Sequence, residues 1–96
     1  MDGDLDLLRA RIEELDTAVI RLLGERFAHV RLLGRAKALA GIAVENPERE
    51  AELRAFHLQA AQREGLDSAL VLGIFEVVLE HSKREQQAQA RRPKTA

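Results

Sequence analysis

The stretch LDLLRARIEELDTAVIRLLGERFAHVRLLGRAKALAG, residues 5–41, decides the fold. Its apolar residues Leu5, Leu8, Ile12, Leu15, Val19 and Leu22 recur at spacings of three and four, which defines one buried stripe along a helix. In the same register the stripe next meets Arg26 and His29, before Leu33, Ala36 and Ala40 restore hydrocarbon. No proline interrupts the pattern, and it passes Gly24 without a change of phase, although glycine in a helix costs about 1 kcal/mol relative to alanine. One long helix is therefore expected, in preference to a break at Gly24 that would fold the chain back as a monomeric four-helix bundle. Asp2, Asp4 and Asp6 suit the positive end of its dipole, and Gly41 is a natural stop. At about 1.5 Å per residue, Leu5 to Ala40 extends roughly 54 Å, beyond the roughly 30 Å width of a small domain. The rest of the chain cannot cover such a rod, so a helical dimer is expected.

Working outward, Asn46-Pro47-Glu48-Arg49-Glu50 reads as a second helix opening, with Asn46 at the N-cap, Pro47 in the first turn and acid at the positive end. That helix is predicted from Pro47 to about Arg63, with Gly65 ending it. Asp67 is positioned to cap a third helix, which carries Leu70, Val71, Ile74, Phe75, Val78 and Leu79 on its inner side. The fold class is all-α, three helices per chain. Residues 1–87 make one helical domain, and beyond Gln87 the apolar periodicity disappears, so residues 88–96 are expected to form a frayed basic tail.

Composition narrows the function. The 96 residues include no cysteine, which removes disulfides and thiolate metal sites. A net charge of −1 and three Phe without Trp or Tyr leave no basic face and little to stack on bases, so nucleic acid is not an expected partner. The acidic start and the lack of an apolar run near 18 residues point away from a targeting peptide or membrane span, toward a soluble cytoplasmic protein. His29, His57 and His81 lack metal-ligand spacing, and no nucleophile elbow or phosphate loop is present. Neither metal nor cofactor is expected.

The chemistry is carried by polar residues on faces that otherwise bury hydrocarbon. A guanidinium such as Arg26 costs several kcal/mol to bury unless an anion meets it, and no acid of its own stripe is placed to do so. Lys37 lies 11 positions on, close to three full turns, and points the same way. Arg9 lies 17 positions before Arg26, about 25 Å along the helix, so it reaches the same small dianion only from an antiparallel second copy. Asn46, Arg49 and Glu50 share a flank of the second helix, and Ser82 and Gln86 share a face of the third. Structural roles compete for several of these: Asn46 as an N-cap, Arg49 and Glu50 as solvated charges, Ser82 bonded back to a carbonyl. Arg26 and Gln86 fit such roles least well.

The string Leu8-Arg9-Ala10-Arg11-Ile12-Glu13-Glu14-Leu15-Asp16, then Leu22-Leu23-Gly24-Glu25-Arg26, Gly34-Arg35-Ala36-Lys37, Asn46-Pro47-Glu48-Arg49-Glu50 and Glu80-His81-Ser82-Lys83-Arg84-Glu85-Gln86-Gln87, resembles the all-helical chorismate mutases. The resemblance implies an intertwined homodimer with two equivalent sites, each built from both chains. It also implies a cofactor-free rearrangement of chorismate to prephenate. Arg26, with Ser82 and Arg49, would bind one substrate carboxylate, and Arg9 of the second chain the other. Lys37 and Gln86 would serve the ether oxygen, and Glu50 would accept a hydrogen bond from the C4 hydroxyl.

The family commonly carries Asp where this chain has Asn46, which leaves the C4 substituent open between hydroxyl and amino. A 4-amino-4-deoxychorismate mutase of an antibiotic pathway is therefore the second reading. Isochorismate-pyruvate lyases of this fold carry an apolar residue at the position of Glu50, which ranks them third. A non-catalytic helical dimerisation module, its cations paired across an interface, is the alternative from a different class.

Overall fold

A computed structural model describes residues 2–92 of the chain. Three helices account for nearly all of them: α1 (Asp2–Ala40), α2 (Pro47–Arg63) and α3 (Ser68–Ala90). α1 runs straight through Gly24, and its 39 residues, about 58 Å at helical rise, match the 60 Å long axis of the molecule. α3 lies between the other two, packing on α1 along one side and on α2 along the other.

The turns follow from local chemistry. Gly41 and Gly65 adopt φ of +70° and +68°, the left-handed conformation in which an L side chain is strained. At each, the next residue reaches back to the last turn: the Ile42 amide donates to the Lys37 carbonyl at 2.9 Å, and the Leu66 amide to the Ala61 carbonyl at 2.9 Å. α2 begins as its sequence suggested, the Asn46 side chain accepting from the Arg49 amide at 3.1 Å. Asp67 takes the N-cap position of α3, but its side chain makes no capping bond, and only its carbonyl serves the helix.

One expectation is corrected, the face of α1 that meets α3. The stripe from Leu5 to Leu22 is left bare by its own chain, as a rod too long for one chain to cover would be: every residue from Asp2 to Thr17 is exposed, as are Val19 and Leu22. Farther along, His29, Leu33, Ala36 and Ala40 of the same register are exposed too. The seam that α1 presents to α3 runs through Leu23, Phe27, Val30, Gly34 and Ala38, a neighbouring face. At its centre the backbones nearly touch, since a Cβ on Gly34 would lie 2.7 Å from the Gln86 Cα. α3 extends to Ala90, where Gln89 is still buried and its side chain accepts from Arg92 at 3.3 Å. Residues 93–96 of the expected tail lie outside the described residues.

The interior of one chain is small. Among the described residues the buried apolar side chains are Val30, Ala61, Val71 and Val78, beside the buried polar residues His57, Ser82, Gln86 and Gln89. Among the described residues no helix is long and apolar enough to cross a membrane.

Candidate functional site

The C-terminal half of α1, the start of α2 and the end of α3 enclose a cavity of about 240 Å³. Arg26 and Lys37 enter it from α1, Asn46, Arg49 and Glu50 from the start of α2, and Ser82, Lys83 and Gln86 from α3; Leu33, Val44, Leu53 and Leu79 supply its apolar surface. Seven of the eight residues singled out in the sequence thus line one space. The eighth, Arg9, does not. It stands exposed far back on α1, 4.0 Å from Asp6.

Arg26 flanks the α1–α3 seam because it sits one residue before Phe27 of that seam, which tips its long side chain over the rim. There its Nη1 donates to Ser82 Oγ at 2.6 Å, while Ser82 donates to the Val78 carbonyl at 2.7 Å. Burial pulls the Arg26 pKa down from its ordinary value, yet a guanidinium stays protonated in a protein, so a charge stands in the wall. Lys37 donates to the Val44 carbonyl at 3.0 Å, a contact made by the turn after Gly41 that aims the ammonium inward. Among the described residues neither Arg26 nor Lys37 makes an ion pair, whereas Arg49 pairs with Glu52 at 3.0 Å and Lys83 with Glu50 at 2.7 Å.

Gln86 is buried at the point where α1 and α3 come closest, and its Oε1 has no hydrogen-bond partner among the described residues. A buried polar atom left unsatisfied costs about 1–3 kcal/mol, so this side chain is not explained by the stability of the single chain. The cavity therefore sets four cations against one carboxylate, with an amide and a hydroxyl beside them. Such a set binds an anion and donates hydrogen bonds. It offers no activated nucleophile, because Ser82 is engaged by Arg26 and Val78 and no histidine lines the space. His57 faces a separate groove between α2 and α3 and stacks on Phe75 at 3.8 Å between ring centroids.

Lys83 is the charged lining residue that the sequence did not single out. Its spacing of four after Leu79 and three before Gln86 puts it on the cavity face, but its partner Glu50 lies on another helix, which no local pattern reveals.

Comparison with known proteins bears on this geometry. The family model for chorismate mutase type II matches residues 8–87. A chorismate mutase of Methanocaldococcus jannaschii is 26% identical over 76 residues, covering 79% of this chain and 77% of that protein. The T-protein of Enterobacter agglomerans is 30% identical over 82 residues; the alignment takes in 85% of this chain but only 22% of that longer protein. With three helices in the family's all-α arrangement and nearly its whole length matched, this chain belongs to the type II chorismate mutases, enzymes of the isomerase class.

Proposed function

We propose that the chain rearranges chorismate to prephenate in a cavity completed by a second copy of itself. The observation that carries this reading is the convergence of Arg26, Lys37 and Gln86 on one cavity, with no carboxylate of the described residues paired to either cation. In the Claisen rearrangement one C–O bond breaks as one C–C bond forms, and no proton passes to the protein. Catalysis then reduces to holding a folded conformer of a dianion and stabilising the negative charge that gathers on the ether oxygen. Arg26, with Ser82 and Arg49, takes one carboxylate. Lys37 lies between the second carboxylate and the ether oxygen, and Gln86 donates to that oxygen. Asn46 and Glu50 meet the ring substituent.

The second carboxylate needs a further cation, and Arg9 is the candidate. On its own helix it is 17 residues, about 25 Å, from Arg26. It belongs to the segment of α1 that its own chain leaves bare, where Leu5, Leu8, Ile12, Leu15 and Val19 are each about half exposed or more. An exposed apolar stripe of that length asks for a partner, and a second, antiparallel copy covers it while carrying Arg9 to the neighbouring cavity.

Mixing Arg9→Ala chains with Lys37→Ala chains tests both parts. Each variant alone should lose turnover by about 10²-fold or more, the cost of a missing transition-state contact. A heterodimer segregates both defects into one site and leaves the other intact. Equal mixing, with half the dimers mixed and one sound site in each, should recover about a quarter of the wild-type rate. No recovery despite demonstrated subunit exchange would contradict the shared site.

A further inference from the structure

Glu50 and Lys83 form the wall between two spaces. On one side lies the 240 Å³ cavity; on the other a groove of about 430 Å³ runs on between α2 and α3 past Arg54, His57, Phe75 and Glu80. Lys83 Nζ donates to Glu50 Oε1 at 2.7 Å, and both side chains are largely covered, 29% and 37% exposed. Among the described residues Glu50 makes no other ion pair. The bond to Glu50 raises the Lys83 pKa, so the ammonium persists at neutral pH.

Among the described residues Glu50 is the one carboxylate lining the smaller cavity. A ligand bearing an ammonium there has a single anionic group to turn to, and a lysine already holds it. Asn46 brings no negative charge in its place, because its side chain is a neutral amide whose oxygen already accepts from the Arg49 amide. Seating an ammonium would bring it against Lys83, with Arg26, Lys37 and Arg49 on the remaining walls. A hydroxyl meets no such obstacle. It can donate to the second carboxylate oxygen while Lys83 stays in place.

We infer that Lys83 is a positioning residue that sets specificity: by neutralising Glu50 it fits the cavity to a dicarboxylate whose remaining polar substituent is a hydroxyl, against one that carries an ammonium. This rests on the proposed rearrangement and narrows its substrate. Aliphatic amines titrate above neutrality, so 4-amino-4-deoxychorismate is the charged competitor of chorismate.

The experiment compares kcat/KM for chorismate and 4-amino-4-deoxychorismate in the wild-type chain, Lys83→Met, Lys83→Arg, Glu50→Gln and Glu50→Gln/Lys83→Met. The wild type should prefer chorismate, and Lys83→Met should shift the ratio toward the amino substrate by about tenfold, with Lys83→Arg returning it toward the wild-type value. In the Glu50→Gln background the same lysine replacement should leave the ratio where Glu50→Gln alone puts it. Circular dichroism of each variant identifies any that fails to fold, and Lys83→Gln then replaces Lys83→Met in the same comparison. A wild-type preference for the amino substrate would overturn the inference. So would equal losses on both substrates, which mean that Lys83 merely ties α3 to α2 or grips a carboxylate itself. A wild-type chain that turns over neither compound would overturn the proposed rearrangement, and the inference with it.

Discussion

The two halves of α1 share a conformation and little else. From Asp2 to Thr17 every residue is exposed, apolar stripe included; from Leu23 onward the same helix buries Val30 and Gly34 against α3 and sends Arg26 and Lys37 into a cavity. The second half owes its packing to its own chain. The first half has an apolar face as regular as any in the molecule and nothing to set it against. Helix propensity alone does not explain sixteen ordered, unsupported residues, since most helical stability in proteins comes from tertiary packing of an apolar face. On the proposed reading the contrast divides the labour of the helix: one end lines a cavity, and the other would build the assembly that completes its neighbour's.

The largest expected effect comes from breaking the first half. Ile12→Asp combined with Val19→Asp puts two carboxylates into the bare stripe, where burial against a second copy would desolvate them at a cost of several kcal/mol each. Sedimentation equilibrium should then show a monomer. Turnover should fall by about 10³-fold, because Arg9 no longer arrives from the partner and the cavity opens to water. A monomer with wild-type turnover would remove the first half of α1 from the site altogether.

The same contrast explains what could be read from the sequence. The helix limits were legible because caps and stops are local: Asn46 before Pro47, glycine at 41 and 65 where the chain must turn left-handed. The convergence of Arg26, Lys37, Ser82 and Gln86 was legible because each departs from an apolar face. The face of α1 that meets α3 was not. Carrying the first-half register forward leads to His29, Leu33 and Ala36, whereas the packed seam runs through Phe27, Val30 and Gly34. A helix that serves different neighbours along its length needs a different face for each, and a single periodicity cannot announce the change. Lys83 escaped for the opposite reason: its position was visible, but its role depends on Glu50 of another helix.

Glycines sharpen the comparison with a smaller effect. In the second half a Cβ on Gly34 would sit 2.7 Å from backbone of α3, so Gly34→Ala should push the helices apart and cost about 1–3 kcal/mol. Thermal unfolding should register this as a drop of about 4–8 °C per kcal/mol, accompanied by lost turnover as Gln86 shifts. In the first half a Cβ on Gly3 would meet nothing within 4 Å, so Gly3→Ala should be neutral or slightly stabilising. Equal responses at the two positions would mean that the close approach at Gln86 is relaxed in solution.

The smallest effect tests how far the second half of α1 reaches. The backbones of α1 and α2 do not come within 8 Å of each other, Cα to Cα, yet the pKa of His57 on α2 is lowered, first by burial and then by the positive charge of Arg26. A folded-state pKa below the unfolded value near 6.5 means that the unfolded chain binds more protons as the pH falls through that value. Stability contributed at neutral pH should therefore be lost as acid is added, the loss levelling off below the folded-state pKa. Melting temperatures taken between about pH 5 and pH 7.5 should fall less in His57→Gln than in the wild type, and less also in Arg26→Gln, where the repelling charge is gone. Wild-type behaviour in Arg26→Gln alongside a flattened His57→Gln profile would leave burial as the whole cause. It would then confine the influence of the second half of α1 to the helix it touches.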